Sequence, residues 1–175
     1  MRKIKIVDLP VVTDEPYEST NEALKASIKK WETIFVLHCD NKLVSNWFAD
    51  TCALCSLFIK NDILGECAHC PIKKKTGSTQ CRNTPFIAYS AYASECIYQA
   101  NRGNNYMINF LKLANLARAE VVFLRSLLPQ KWTVELSGMV RGIEAEDEDE
   151  AKSIAMFDIL DIENANDWTV KVYRE

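Results

Sequence analysis

The chain has 175 residues, 48% hydrophobic and 26% charged, with five Gly and five Pro. That composition is globular and excludes collagen-like, low-complexity and disordered classes. The formal net charge of −3 excludes a strongly basic nucleic-acid binder, and no apolar run approaches the ~20 residues of a membrane span.

Charge is unevenly spread. Residues 131–175 carry five basic and twelve acidic side chains, whereas residues 1–130 carry sixteen and twelve. The shift at Pro129–Gln130 marks a boundary. It divides the chain into an N-terminal strand and connector (1–18), a helical metal-binding domain (19–130) and an acidic unit (131–175). Lys3, Lys5 and Asp8 break up the apolar residues at the start, so no export signal is expected. Seven cysteines without such a signal point to metal or catalytic use rather than to disulfides.

Lys3 to Ile6 alternates at period two, as a half-buried strand does. Ser19 followed by Glu22 fits a capping box, and a helix is expected from there to about Leu37. Its apolar stripe is Leu24, Ile28, Trp31 and Phe35. From Cys39 to Thr84 periodicity is weak, and the segment reads as loops and short turns. Thr84-Pro85 signals a second helix, through Ile87, Tyr89, Tyr92 and Cys96 to about Ala100. A third is expected from Asn105 to Leu128, with a seam of Met107, Phe110, Ala114, Ala117, Val121, Leu124 and Leu128. Leu111, Leu113, Leu116, Val122 and Phe123 lie off that seam. Burial within the monomer is the first reading of so apolar a helix, and a homo-oligomer through residues 105–128 is the second.

After Pro129 the pattern changes to β-β-α-β. Trp132, Val134 and Leu136 alternate with polar residues, Ser137-Gly138 is a turn, and Met139 to Ala145 is a second strand. Asp147 to Leu160 reads as a helix with an acidic first turn, and Asp167 to Tyr173 as a last strand. Ile4 and Ile6 are candidates for an edge strand on this sheet. The fold class is therefore α+β: a mainly helical domain with a zinc-knuckle-like cysteine site, plus a small C-terminal β-β-α-β unit.

The strongest chemical signal is Cys52-Ala-Leu-Cys55, eleven residues, Cys67-Ala-His-Cys70, ten residues, and Cys81. A two-residue spacing lets both thiolates of a tight turn face one ion. Two such knuckles complete a tetrahedron around zinc with bonds of about 2.3 Å. The first ligand set is Cys52, Cys55, Cys67 and Cys70; in the second, Cys81 replaces one of these. His69 reads as a solvated loop residue. His38-Cys39 is a possible contributor, although Cys39 and Cys96 fit better as small buried hydrophobes. A 4Fe-4S cluster is the chemical alternative, because four thiolates also suit a cubane.

The run Cys-Ala-Leu-Cys … Cys-Ala-His-Cys-Pro-Ile … Thr-Gly … Cys-Arg-Asn-Thr-Pro-Phe resembles a family of small bacteriophage and prophage proteins. These carry a Cys-x-Leu-Cys, Cys-x-x-Cys-Pro, Gly, Cys-x-x-Thr-Pro-aromatic series. Ala119-Glu120, Phe123-Leu124 and Leu127-Leu128-Pro129 are similar to the helix that follows in them. The tail is similar to DpnD/PcfM-type proteins through Glu144-Ala145-Glu146 and Glu150-Ala151. These resemblances imply a phage or mobile-element protein at work in the bacterial host cytoplasm, and no particular activity.

Three kinds of function remain. The first is a binding module with structural zinc and a protein partner. A nucleic-acid partner is the variant, reached through the basic loop Lys73, Lys74, Lys75 and Arg82, with Phe86, Tyr89 and Tyr92 to stack bases. The second is an inhibitor or sequestering factor for a host enzyme or defence system, with the acidic Glu144–Glu150 stretch mimicking phosphate. The third, an enzyme, has least support: no catalytic residues are assigned, for no phosphate loop, nucleophile elbow or His-Glu-x-x-His is present. No membrane association is expected.

Overall fold

The structure, a computed structural model, describes residues 4–10, 17–48, 51–59, 67, 69–103, 108–136, 139–159 and 170–174. Two units, Met1–Leu127 and Leu128–Glu175, make up the chain.

In the first unit, helix α1 runs over Thr20–Cys39. The Glu22 N–H donates to Ser19 Oγ at 3.2 Å, while the Glu22 carboxylate accepts from the Glu18 N–H. One of the helix's free N–H groups and the Glu18 N–H just before it are thereby satisfied, the box reaching one residue further back than expected. Leu24, Ile28 and Trp31 are buried as the stripe requires, together with Ala23, Ser27, Ile34 and His38, whereas Phe35 is half-buried. Asn41 adopts a left-handed backbone (φ 55) and turns the chain back into strand β2 (Lys42–Val44). Strand β1 (Lys5–Val7) pairs with β2 in parallel, Ile6 opposite Leu43. The N-terminal strand therefore does not edge the C-terminal sheet. The reversal after α1 gives it a nearer partner, and Asn46 extends the pairing by accepting from the Leu9 N–H and donating to the Leu9 carbonyl.

The cysteine segment is not only loops and turns. It contains two short helices, α2 (Ala53–Ile59) and α3 (Pro71–Thr76). Pro71 stands at the first turn of α3, where its missing N–H costs nothing, and Gly77 closes the helix in the left-handed conformation (φ 70). Helix α4 (Pro85–Asn101) starts at Thr84, whose Oγ1 accepts from the Phe86 N–H. Helix α5 is shorter than its apolar pattern predicts, Phe110–Arg125, because Asn109 caps it by accepting from the Lys112 N–H. Residues 104–107, with Met107 of the expected seam, lie outside the described residues. Helix α5 packs most extensively along α1 and next against α4, burying Leu113, Ala114, Ala117, Glu120, Val121 and Leu124. Leu111 and Val122 remain 71% and 61% exposed, so this helix is only partly covered within its unit.

The second unit is a three-stranded antiparallel sheet, order β4-β3-β5, built from β3 (Gln130–Leu136), β4 (Met139–Ala145) and β5 (Val170–Arg174). Trp132 stands opposite Ile143 on one side and Arg174 on the other. Helix α6 (Glu148–Ile159) packs on this sheet. Its start is a second capping box: Asp147 accepts from the Glu150 N–H, and Glu150 accepts from the Glu146 N–H. The expected turn at Ser137-Gly138 and strand residues 167–169 lie outside the described residues.

Candidate metal centre

The site begins with an aromatic floor. Trp31 of α1 meets Tyr89 of α4 edge-on at 4.9 Å between centroids, and Trp47 meets Tyr89 edge-on at 5.7 Å. Phe86 also approaches Trp31 edge-on, at 6.1 Å. Such edge-to-face pairs add to the stabilisation from burying their area. Tyr89 is fully buried, which removes it from any base-stacking surface. Tyr92 is half-buried under the Lys112 ammonium, 4.1 Å from its ring centre.

Against this floor lies a cavity of about 270 Å³, lined by Cys52, Cys55, Cys67, Cys70 and Cys81, with Ser27, Lys30, Trp31, Trp47, Leu54, Ile72, Lys73, Phe86 and Glu120 among the other walls. Both knuckles and the fifth cysteine thus reach one space from three separate stretches of chain. Among the described residues, no group of three or more His, Cys, Asp or Glu is arranged so as to hold a metal ion. The sulfurs line a volume rather than meet at a point.

Local chemistry distinguishes the first knuckle. Ser27, fully buried on α1, accepts from the Leu54 N–H at 3.2 Å and lies 3.7 Å from Cys52 Sγ. It therefore orients the first knuckle from a helix that the cysteine spacing does not mention. The hydrogen bond between Cys55 and Cys52 lowers the Cys52 pKa and raises that of Cys55; the Lys30 ammonium also favours the Cys52 thiolate. Lys30 is held beside the cavity by donating to the carbonyls of Trp47 (2.8 Å) and Phe48 (3.2 Å). Burial pushes the Cys70 thiol up, and pushes Cys81 up to about 12 with further help from the negative groups around it.

The backbone is unusual at the same place. Cys67, Gln80, Cys81 and Asn83 all adopt left-handed conformations, with φ between 54 and 63. Each costs about 1–3 kcal/mol for a residue with a Cβ, and such conformations gather at ligand clamps and other functional sites. Thr84 Oγ1 fastens the strained turn by donating to the Cys81 carbonyl at 2.8 Å.

Glu120 is the member that sequence reasoning missed. It is 2% exposed, and its Oε2 accepts from the Phe86 N–H at 2.8 Å. A carboxylate there suits the positive end of α4, yet burial pushes its pKa up to about 7, partly opposed by that N–H. A signal was present: Leu113, Ala117, Glu120 and Leu124 are spaced by four, three and four, so a glutamate stands on a buried stripe.

The other candidates lie elsewhere. His38 is not a ligand candidate: it is buried, with Nδ1 2.9 Å from the Lys42 carbonyl and Nε2 2.9 Å from the Tyr89 hydroxyl. The carbonyl can only accept, so Nδ1 carries the proton and Tyr89 donates to Nε2. Cys39 is exposed rather than buried, and Cys96 is buried on α4. His69 is exposed and borders a separate open depression with Lys73, Lys74 and Gly77. Lys73, Lys74 and Lys75 fill the last turn of α3, the end that favours cations. Arg82 is exposed beside Gln80.

Compared with known proteins, the chain matches no protein-family model, no curated protein and no solved structure. Among the described residues, no helix is long and apolar enough to cross a membrane.

Proposed function

We propose that the chain is a small binding module in which cysteine-bound zinc is a structural element, acting through contact with a protein partner. One observation carries this reading: five cysteines from three stretches of chain line a single cavity. All-thiolate zinc sites are usually closed, with no position left for a reacting water, so the ion shapes the protein rather than turning over substrate. Metal binding then contributes folding energy to a region whose described residues bury few apolar side chains. The resemblance to phage proteins favours work in the bacterial host cytoplasm, with a host enzyme or defence factor as one class of partner. The acidic Glu144–Glu150 stretch is the surface such a partner with basic character would meet. Nucleic acid is the less favoured partner, since the lysines are explained by a helix terminus and Tyr89 is inaccessible.

The test is elemental analysis with an absorption spectrum on anaerobically purified protein. Zinc without visible absorption supports the proposal, and pull-down experiments then seek the partner. An iron–sulfur redox or sensing centre is the second reading, because four thiolates also suit a cubane and the cysteines line a cavity rather than meet at a point. A brown protein containing iron and sulfide would replace zinc by that reading, and protein free of bound metal would remove both.

A further inference from the structure

The two Cys-x-x-Cys pairs share a spacing but not a structure. Cys67 and Cys70 are buried, whereas Cys52 and Cys55 are half-buried on the cavity wall. The second pair is closed by its backbone, the Cys70 N–H donating to the Cys67 carbonyl at 3.0 Å. The first is closed through its side chains. The Cys55 thiol donates to the Cys52 sulfur, and so does the Cys55 N–H. Ser27 Oγ stands 3.7 Å from the same sulfur. That oxygen already accepts from the Leu54 N–H, so its hydroxyl proton is directed to Cys52.

Two consequences follow. Sulfurs already in contact have the approach that a disulfide bond of about 2.05 Å requires. The two sulfurs also differ in role, for Cys52 accepts and Cys55 holds the proton between them. We propose that Cys52 and Cys55 form a thiol–disulfide exchange pair acting on small-molecule disulfides, with Cys52 as the attacking sulfur and Cys55 as the resolving one. The inference goes beyond the zinc reading and limits it, since a closed disulfide takes two sulfurs from any ion bound there.

The chemistry balances without a further reactant. Cys52, as its thiolate, attacks one sulfur of the incoming disulfide. That S–S bond breaks, a mixed disulfide forms on Cys52, and the first small thiolate leaves with the electron pair. Cys55 gives its proton to that thiolate and attacks the Cys52 sulfur, expelling the second small thiolate. Two protein sulfurs are oxidised to one disulfide, and one small disulfide is reduced to two thiols.

The full-length chain is exposed to oxidised glutathione anaerobically, with and without a chelator, then alkylated and digested with trypsin. Cleavage after Lys42, Lys60 and Lys73 puts Cys52 and Cys55 alone in peptide 43–60, and Cys67 and Cys70 alone in peptide 61–73. The second pair has the same spacing and reports how fast that spacing closes by itself. The disulfide within 43–60 should form about tenfold faster than the one within 61–73. Cys55→Ser keeps a donor to Cys52 and should hold one glutathione on Cys52. Faster closure of 43–60 in either sample supports the proposal. Equal closure, a first disulfide elsewhere, or none in both samples overturns it. So does glutathione retained by a folded Cys55→Ser at another cysteine or not at all. The comparison within the unaltered chain decides even if the variant does not fold. Zinc counted before the oxidant is added decides the metal reading separately.

Discussion

The helical core and the cysteine segment of the first unit are ordered by different means. Helices α1, α4 and α5 bury Leu24, Ile34, Tyr89, Leu113 and Leu124 almost completely, and their ends are capped by Ser19, Thr84 and Asn109. The described part of the stretch from Thr51 to Cys81 buries, besides two cysteines, only Ala53, Leu54 and Ile72 among its apolar side chains. It also contains three left-handed residues that are not glycine. The core is held by area removed from water, at roughly 25 cal/mol per Å². The segment has little of that resource, and what its residues share is a set of sulfurs facing one cavity. A region can be compact for reasons that hydrophobicity does not record.

Metal removal should separate the two regions most sharply. Structural zinc in small domains binds with about 10–16 kcal/mol of apparent free energy, far above what the few buried apolar side chains among the segment's described residues supply. Chelation, or Cys52→Ser or Cys70→Ser, is expected to open residues 51–84 to proteolysis and hydrogen exchange while α1 and α5 stay protected. Uniform protection, with an unchanged melting curve in both variants, would erase the distinction.

A core lesion should act the other way. Tyr89→Ala removes a fully buried ring that touches Trp31 and Trp47. It should cost about 3–5 kcal/mol in denaturant unfolding, lowering protection throughout the helices. Loss confined to the cysteine segment would show that the aromatic floor serves the site and not the core.

The third effect depends on pH. Burial lowers the His38 pKa below its ordinary 6.5, so the folded protein keeps this ring neutral when the unfolded chain has begun to take a proton. Its contribution is fully present above pH 6.5 and is lost as pH falls from there towards the folded pKa. Between pH 7.5 and 5 the unaltered chain should lose stability relative to His38→Gln as pH falls, a comparison that cancels the opposite contribution of Glu120, whose raised pKa adds stability over the same range. An equal slope in the variant would assign it to other groups.

The smallest effect tests the helix ends. Ser19→Ala removes the acceptor for the Glu22 N–H and should cost about 1 kcal/mol, with metal content unchanged. A change in metal content would mean that the start of α1 and the cavity are coupled more tightly than their separate origins imply.

Much of this was legible locally. The box at Ser19, the acidic helix start after Asp147, the cap at Thr84 and the proline after it follow from groups within a few residues of one another, and the structure places helix starts there. Where the pattern misled, a competing cap or a nearer partner was responsible. The apolar run before Phe110 promised a longer α5, but Asn109 supplies the cap. Ile4 and Ile6 read as an edge strand for a sheet over a hundred residues away, whereas the turn after α1 set β2 beside them. Cys39 has the composition of a buried residue and the position of an exposed helix end.

The sequence by itself determined the two Cys-x-x-Cys pairs, the surplus fifth cysteine, the acidic tail, the three long helices and the order of the β-β-α-β unit, because spacing, periodicity and capping act over a few bonds. Only the tertiary structure decided that Ser27, Lys30 and Glu120 join the cysteines. Those residues come from α1 and α5, and their approach depends on how the two helices pack around Trp31, Tyr89 and Leu124, a condition that no short stretch of chain contains.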